Sequence, residues 1–277
     1  MMCFKLHIYI IYQPMMQDTK FLISVVLEAA QMITDDFFIA VKDANGDLVT
    51  SFDFEIERFI IDKIRENYKN FDIISEEFNP TNKLTENCFV IDPLDGTINF
   101  AHGLPLFGIQ VAMIKKGKVI ASIIYLPKLF EIFYANQSGA YMANIRPNAF
   151  EKEFGQNYKE WTNEVLKTAK KISVSNTSSD RALYLVEGGN KFPALTQMNN
   201  QTRHWRYICC TAVNSAWTAC GRLGGSILRK DNVWDYLPGQ YLIKQAGGHT
   251  INKRGAHIAT NTKELAKLLY KNARLTE

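Results

Sequence analysis

The stretch Val90-Ile91-Asp92-Pro93-Leu94-Asp95-Gly96-Thr97-Ile98-Asn99-Phe100 constrains this chain more than any other. A near-continuous apolar run, Cys88 to Ile91, predicts a buried strand, and it ends in two acids three residues apart. Pro93 fixes φ and stiffens the next step. Gly96 permits a tight turn and close backbone approach. Asp92, Asp95 and the Leu94 carbonyl are then all oxygen donors at one turn, a set that suits a hard cation such as Mg²⁺. Without a cation, adjacent buried carboxylates repel and one takes up a proton. If a helix starts after Gly96-Thr97, its unpaired N–H groups form an anion site. A capped turn with two solvated acids fits the same residues, so this stretch alone leaves both readings open.

Two further segments bear on that choice. Glu76 and Glu77 follow the apolar Ile73-Ile74-Ser75 at a strand end. Asp235 follows Trp234, with Pro238 expected in the first turn of an apolar helix, where a missing N–H is tolerated. Each alone reads equally as a solvated loop or a helix cap. Together they place acids from three separated segments at the edges of apolar elements, as a two-metal site requires.

The 277 residues are 47% hydrophobic, enough for one large core or two modest ones. A net charge of +4 with scattered basic residues gives no nucleic-acid footprint. Five Cys with no CxxC spacing argue against a disulfide framework and for a reducing cytoplasm. No HExxH spacing supports a zinc hydrolase. The apolar part of residues 1–16 is too short to span a bilayer. This extension is expected either to precede the true start, at Met15 or Met16, or to form a short β-like arm.

Periodicity predicts a helix from Asp18 to about Val41 and a second from Asp53 to about Tyr68, with Ile56, Ile60 and Ile64 on one face. Strands are expected at Phe71–Phe78, Cys88–Asp92, Phe107–Ile114, Val119–Leu126 and Glu131–Ala135, with a hairpin turn at Lys115-Lys116-Gly117. Residues 144–170 are polar and predict a surface insertion, helical near Trp161–Lys170, between halves at about 17–143 and 171–277 of a single domain. Lys171–Ser175 and His249–Asn252 read as strands, and Thr211–Gly221 and Leu237–Gln245 as helices. The expected class is a layered α/β (α+β) protein.

Four segments in order resemble the inositol monophosphatase family of Mg²⁺-dependent, lithium-sensitive sugar phosphatases. Asp47-Leu48-Val49-Thr50-Ser51-Phe52-Asp53 resembles its DLVT-x-x-D segment, and Ser75-Glu76-Glu77 its SEE or GEE segment. Asp92-Pro93-Leu94-Asp95-Gly96-Thr97-Ile98-Asn99-Phe100 matches its DP-[IL]-DGT-x-NF motif at every fixed position, and Trp234-Asp235 resembles its last motif. The resemblance spans about Asp18 to Leu269. It implies a layered αβαβα sandwich, a phosphomonoesterase acting on a small phosphorylated polyol or sugar, two or three Mg²⁺ ions and a homodimer. The scattered basic residues and the lack of a charge-free segment of spanning length lead us to expect no nucleic-acid polymer and no membrane as partner.

The resemblance also implies roles. Glu76, Asp92 and the Leu94 carbonyl would hold one ion, and Asp92, Asp95 and Asp235 a second; a third would join near Glu76 and Glu77. Glu76 and Thr97 would position the attacking water, with Asp53 bonded to Thr97. Backbone N–H groups of Gly96 and Thr97 would grip phosphate, with Asp95, Cys210, Thr211 and Asp235 near the substrate. Lys42 would lie close to the metals. The chain departs from the family at two places. Cys209 stands where the family usually has Gly, and Leu228 where inositol-cleaving members carry a Glu that grips sugar hydroxyls. Arg229, Lys230 and Asp231 offer a different polar rim. The substrate therefore stays open, with a 3'(2'),5'-bisphosphate nucleotidase or fructose-1,6-bisphosphatase activity as alternatives. A low-turnover metal-binding regulatory protein is the alternative of another class.

Overall fold

Alternation of side chains along the central strands builds two cores from one sheet. The structure, a computed structural model, describes residues 2–34, 36–42, 47–187, 204–229 and 232–274. The chain begins with helix α1 (Met2–Ala30), strands β1 (Ile39–Val41) and β2 (Leu48–Thr50), and helix α2 (Ser51–Asn67). Then come β3 (Asp72–Ser75), β4 (Cys88–Asp95), the short helix α3 (Thr97–Ala101), β5 (Gly108–Lys115), β6 (Lys118–Leu126), β7 (Glu131–Asn136) and β8 (Gly139–Asn144). Helices α4 (Pro147–Phe154) and α5 (Tyr158–Thr168) precede β9 (Lys170–Lys171), β10 (Leu183–Glu187) and β11 (His204–Arg206). The remainder is α6 (Thr211–Ala219), β12 (Gly225–Leu228), α7 (Val233–Gln245), β13 (His249–Lys253), β14 (Ala256–Thr260) and α8 (Lys263–Arg274).

A seven-stranded sheet runs in the order β3-β4-β5-β6-β7-β8-β9, antiparallel except for the parallel pair β3–β4. On β6, Ile123 and Tyr125 face the core under α1 and α2, while Ile124 and Leu126 face the core under α6 and α7. Strand β7 repeats this, with Ile132 and Tyr134 on one side and Phe133 and Ala135 on the other. A second sheet, β11-β10-β12-β14-β13, carries α8 on its far side through Tyr184, Ile227, Ile258, Leu265 and Leu269. The layers are therefore α1/α2/α5, sheet, α6/α7, sheet, α8: the expected αβαβα sandwich. No helix among the described residues is long and apolar enough to cross a membrane.

Several boundaries differ from the sequence expectation. Helix α1 stops at Ala30, and Ile39–Val41 is a strand paired with Leu48–Thr50 rather than the end of a helix. After Ala30 the chain passes through tighter i to i+3 bonds at Gln31, Met32 and Ile33. The apolar residues that follow kept the helical spacing without kept helicity, because Phe37 packs on the Phe52 and Phe100 rings. Residues 2–16 belong to α1 and form no β-like arm. Asn45 and Gly46 lie outside the described residues, as do Lys230 and Asp231. The hairpin turn is as expected, with Lys116 and Gly117 both at positive φ (54° and 70°), the two-residue turn that matches strand twist.

Residues 144–170 are not a surface excursion. They fold as α4 and α5, and Phe150, Trp161 and Val165 join the core under α1. Trp161 is 2% exposed, and its indole N–H donates to the Gly155 carbonyl at 2.9 Å. The polar majority hid this contribution, because only four residues of the segment, Ile145, Phe150, Trp161 and Val165, are buried in that core. Trp161→Ala is expected to lower the stability by about 3–5 kcal/mol, the loss typical of a buried large aromatic. Urea denaturation checks this, and a near-neutral result would mean the segment is peripheral.

Candidate metal centre

Strand β4 aims its acids through a break in pairing. Cys88 and Val90 face α7, while Phe89 and Ile91 face the first core, so alternation puts Asp92 on the α7 side. Asp95, three positions on, would face the opposite way in an unbroken strand. The register instead shifts: Asp92 lies opposite Gln110 and Asp95 opposite Gly108. The extra residue at Pro93-Leu94 is a bulge, where a strand proline is tolerated. It sends the Leu94 side chain into the first core and leaves both acids on one face.

Helix α7 brings the third acid. Trp234 packs against Cys88, Val90 and Ala112, which seats the helix start and presents Asp235 to β4. Carboxylate oxygens of Asp92, Asp95 and Asp235 lie within 4.8 Å of one another, and all three residues are buried. The helix begins at Val233, so Pro238 lies inside it rather than in its first turn. Gly239 follows, at a point where a side chain would collide with Ser215 of α6; the two helices touch there through small residues.

Asp92 is fully buried, and its Oδ1 has no hydrogen-bond partner among the described residues. Its Oδ2 accepts one bond from the Gln110 amide at 3.2 Å. Burial, then the charges of Glu76, Asp95 and Asp235, hold its pKa well above the usual carboxylate range. An orphaned buried carboxylate oxygen among three acids is what a cation resolves. The donors are all oxygen, so the residues fit Mg²⁺.

Asp95 does a second task. Its Oδ2 accepts the Thr211 hydroxyl at 3.1 Å, the Cys210 thiol at 3.2 Å and the Ala212 amide. The N-terminus of α6 is thus capped by an acid from another element, since Cys210 at the cap position makes no side-chain capping bond. Gln110 also donates to the Thr211 hydroxyl at 3.0 Å, tying Asp92 to the same helix start. Sequence reasoning missed Gln110. Its signal was one amide inside the apolar run of β5.

Gly96 sits at φ +87°, and a Cβ there would meet the Leu106 carbonyl at 2.8 Å and Cys210 at 3.2 Å, so the turn admits only glycine. The Thr97 hydroxyl is 2.8 Å from the Leu94 carbonyl and 3.1 Å from Asp53 Oδ1, and donates to one of them at a time. Asp53 Oδ2 accepts from the Thr50 amide and hydroxyl, which closes a capping box at the start of α2. The cap and the bond to Thr97 coexist on one carboxylate. Burial pushes Asp53 up to about 6 against the bonds from Thr50.

Glu76 lies outside the three-acid cluster, although its charge reaches Asp92 and Asp53. Lys42 Nζ bonds Glu76 at 2.9 Å and Glu77 at 2.5 Å. Burial would lower the Lys42 pKa; the two glutamates outweigh it and hold the ammonium above its ordinary value. Burial raises Glu77 to about 7 despite Lys42. Glu57, also missed, is fully buried beneath this turn.

Cys209 adopts φ +56°, the left-handed region that favours glycine. Beside Asp235 a cleft opens, lined by Thr211, Ser226, Leu228, Tyr236, Gln240 and His257 among others. Leu228 is 5% exposed and belongs to none of the apolar clusters described above. Tyr236 and His257 stack with ring centroids 3.7 Å apart. Among the described residues, Asp235 is the one formally charged group lining the cleft, and no Lys or Arg lines it.

Residues 15–275 match the profile described as the inositol monophosphatase family. The chain is 31% identical over 210 residues to the fructose-1,6-bisphosphatase/inositol-1-monophosphatase of Thermotoga maritima, covering 75% of this chain and 72% of that one. It is 29% identical over 226 residues to Nus factor SuhB of Escherichia coli, covering 81% and 79%. Among solved structures it resembles a Thermotoga maritima IMPase with a TM-score of 0.75 at 25% identity, covering 96% and 100% of the two chains. An IMPase/NADP phosphatase complexed with Mg²⁺ and phosphate shares the fold with a TM-score of 0.76 at 16% identity, covering 94% and 95%.

An acid whose folded pKa is raised keeps its proton longer in the folded state, so its contribution to stability is lost as pH rises through that pKa. In metal-free protein, the stability gained by Asp92→Asn over wild type is expected to grow with pH, by up to about 1.4 kcal/mol per unit where Asp92 titrates. Mg²⁺ should raise the melting temperature of wild type and not of this variant. Thermal melts with chelator or Mg²⁺ check both; a gain that shrinks with pH contradicts the assignment. Cys209→Gly is expected to stabilise by about 0.5–1 kcal/mol, since relief of the left-handed strain exceeds the added unfolded-state entropy. Its urea midpoint decides this.

Proposed function

The chain belongs to the inositol monophosphatase family, and from that premise we propose that it is a Mg²⁺-dependent phosphomonoesterase acting on the monophosphate of a small uncharged polyol or sugar. The observation that carries the reading is the buried Asp92-Asp95-Asp235 cluster with one partnerless oxygen, set beside the Thr97–Asp53 pair. Asp92, Asp95, Asp235, the Leu94 carbonyl and Glu76 would hold two ions, with Glu77 near a third. When bound, the ions supply Lewis-acid stabilisation of phosphoryl charge and lower the pKa of the attacking water.

The remaining steps belong to this chain's own groups. Gly96 and Thr97 offer backbone N–H groups to the phosphate at the turn into α3. The Thr97 hydroxyl, bonded to Asp53, orients the water and passes its proton toward that carboxylate. A carboxyl near pH 6 is better matched to accepting a proton at neutral pH than an ordinary aspartate. Lys42 pairs with Glu76 and Glu77, the acids that would face a further ion. A homodimer in a reducing cytoplasm, without membrane or nucleic-acid partners, completes the reading.

The cleft supports the substrate class. It offers hydroxyls, amides and His257 to hydroxyl groups, and among the described lining residues no Lys or Arg would pair a second phosphate. Leu228 accepts no hydrogen bond, so discrimination among polyols should be loose. This favours a monophosphate over the bisphosphate substrates, although one relative's name carries both activities. A phosphate-release panel with Mg²⁺ tests the reading, using inositol 1-phosphate, fructose 1,6-bisphosphate and 3'-phosphoadenosine 5'-phosphate. The monophosphate is expected to show the highest kcat/KM, with release reduced by Li⁺. No release from any member sinks the enzyme reading, and a preferred bisphosphate sinks the substrate class.

A further inference from the structure

Glu57 is 0% exposed, and its carboxylate accepts three hydrogen bonds from one turn. The Ser75 hydroxyl donates to Oε1 at 2.5 Å, the Phe78 amide to Oε1 at 2.7 Å and the Glu77 amide to Oε2 at 2.7 Å. No ion pair of Glu57 is present among the described residues. Its charge is therefore met by oriented donors alone, all of them in the segment that carries Glu76 and Glu77. Burying an acid on the apolar face of α2 is unfavourable unless such donors are supplied. Burial raises its pKa, and the bonds from Ser75, Glu77 and Phe78 oppose that rise.

Glu57 stands four residues after Asp53, one turn along the same face of α2. Asp53 grips Thr97 at the end of β4, and Glu57 grips residues 75–78 at the end of β3. One rigid helix thus holds two loops at a spacing of roughly one helical pitch, about 5.4 Å. A Gln at this position keeps one acceptor and turns an N–H toward a backbone N–H, so the turn must move.

We propose that Glu57 is a positioning residue: through Ser75, Glu77 and Phe78 it sets where Glu76 and Glu77 stand relative to the Asp92 cluster, and so tunes divalent-cation affinity. The inference rests on the hydrolase reading for its relevance, but its test does not require turnover. The test is calorimetric titration of Mg²⁺ into wild type, Glu57→Gln, Glu57→Asp and Ser75→Ala, with metal-free melts and amide exchange of Glu77 and Phe78.

Glu57→Gln is expected to weaken Mg²⁺ binding about 10–100-fold, as loss of a group that orients ligands does. Exchange at the two amides should accelerate, and excess Mg²⁺ should restore turnover. Glu57→Asp and Ser75→Ala should show smaller losses in the same direction. A folded Glu57→Gln with unchanged affinity overturns the proposal, even if its melting temperature falls. If that variant does not fold, Ser75→Ala decides: weakened binding supports the proposal, unchanged binding overturns it. Weakened binding in the variant of a wild type that binds Mg²⁺ but releases no phosphate supports this inference and overturns the hydrolase reading.

Discussion

A fully buried carboxylate with one oxygen unsatisfied among the described residues is the condition around which the rest of this structure is arranged. Asp92 sits with Asp95 and Asp235 at the edge of an apolar core, where burial and mutual repulsion both oppose its charge. Such an arrangement persists only when the surrounding fold over-determines it or a cation relieves it. The first is visible in this chain. The bulge at Pro93-Leu94 anchors Leu94 in the first core, Trp234 seats α7, and the acids cannot move apart without breaking one of these contacts.

The same carboxylates join the two parts of the fold. Asp95 caps α6 from across the sequence, and Gln110 bridges Asp92 to Thr211 at the same helix start. Helix α2 plays the matching role on the other side, with Asp53 and Glu57 each holding a different loop. The centre is therefore built from groups that also stabilise element ends. The acidic centre and the element ends share residues, so substitutions at Asp95 or Asp53 are expected to change stability as well as the centre.

Much of the fold was legible because its signals are local. The 3.6-residue spacing of Ile56, Ile60 and Ile64 gives α2, the apolar run before Asp92 gives β4, and the Lys116-Gly117 turn gives the β5–β6 hairpin. The end of α1 was not legible, since Phe37 keeps an apolar spacing for a tertiary reason, the Phe52 and Phe100 rings. In segment 144–170 the exposed polar majority conceals the buried Ile145, Phe150, Trp161 and Val165. Lys42 was expected near the metals, but its bonds to both Glu76 and Glu77 connect residues 34 and 35 positions apart.

By itself the sequence determined one local constellation: Asp92, Asp95, Gly96 and Thr97 are held at one turn by a proline, a glycine and the apolar run before them. These are short-range constraints, set by backbone sterics. Tertiary structure decided how closely Asp235 approaches them, that Glu76 and Glu77 share Lys42, and that Leu228 and the Tyr236–His257 stack face the cleft beside Asp235. Those relations depend on how sheets and helices stack, and no local propensity encodes the distance between residues brought together only by packing.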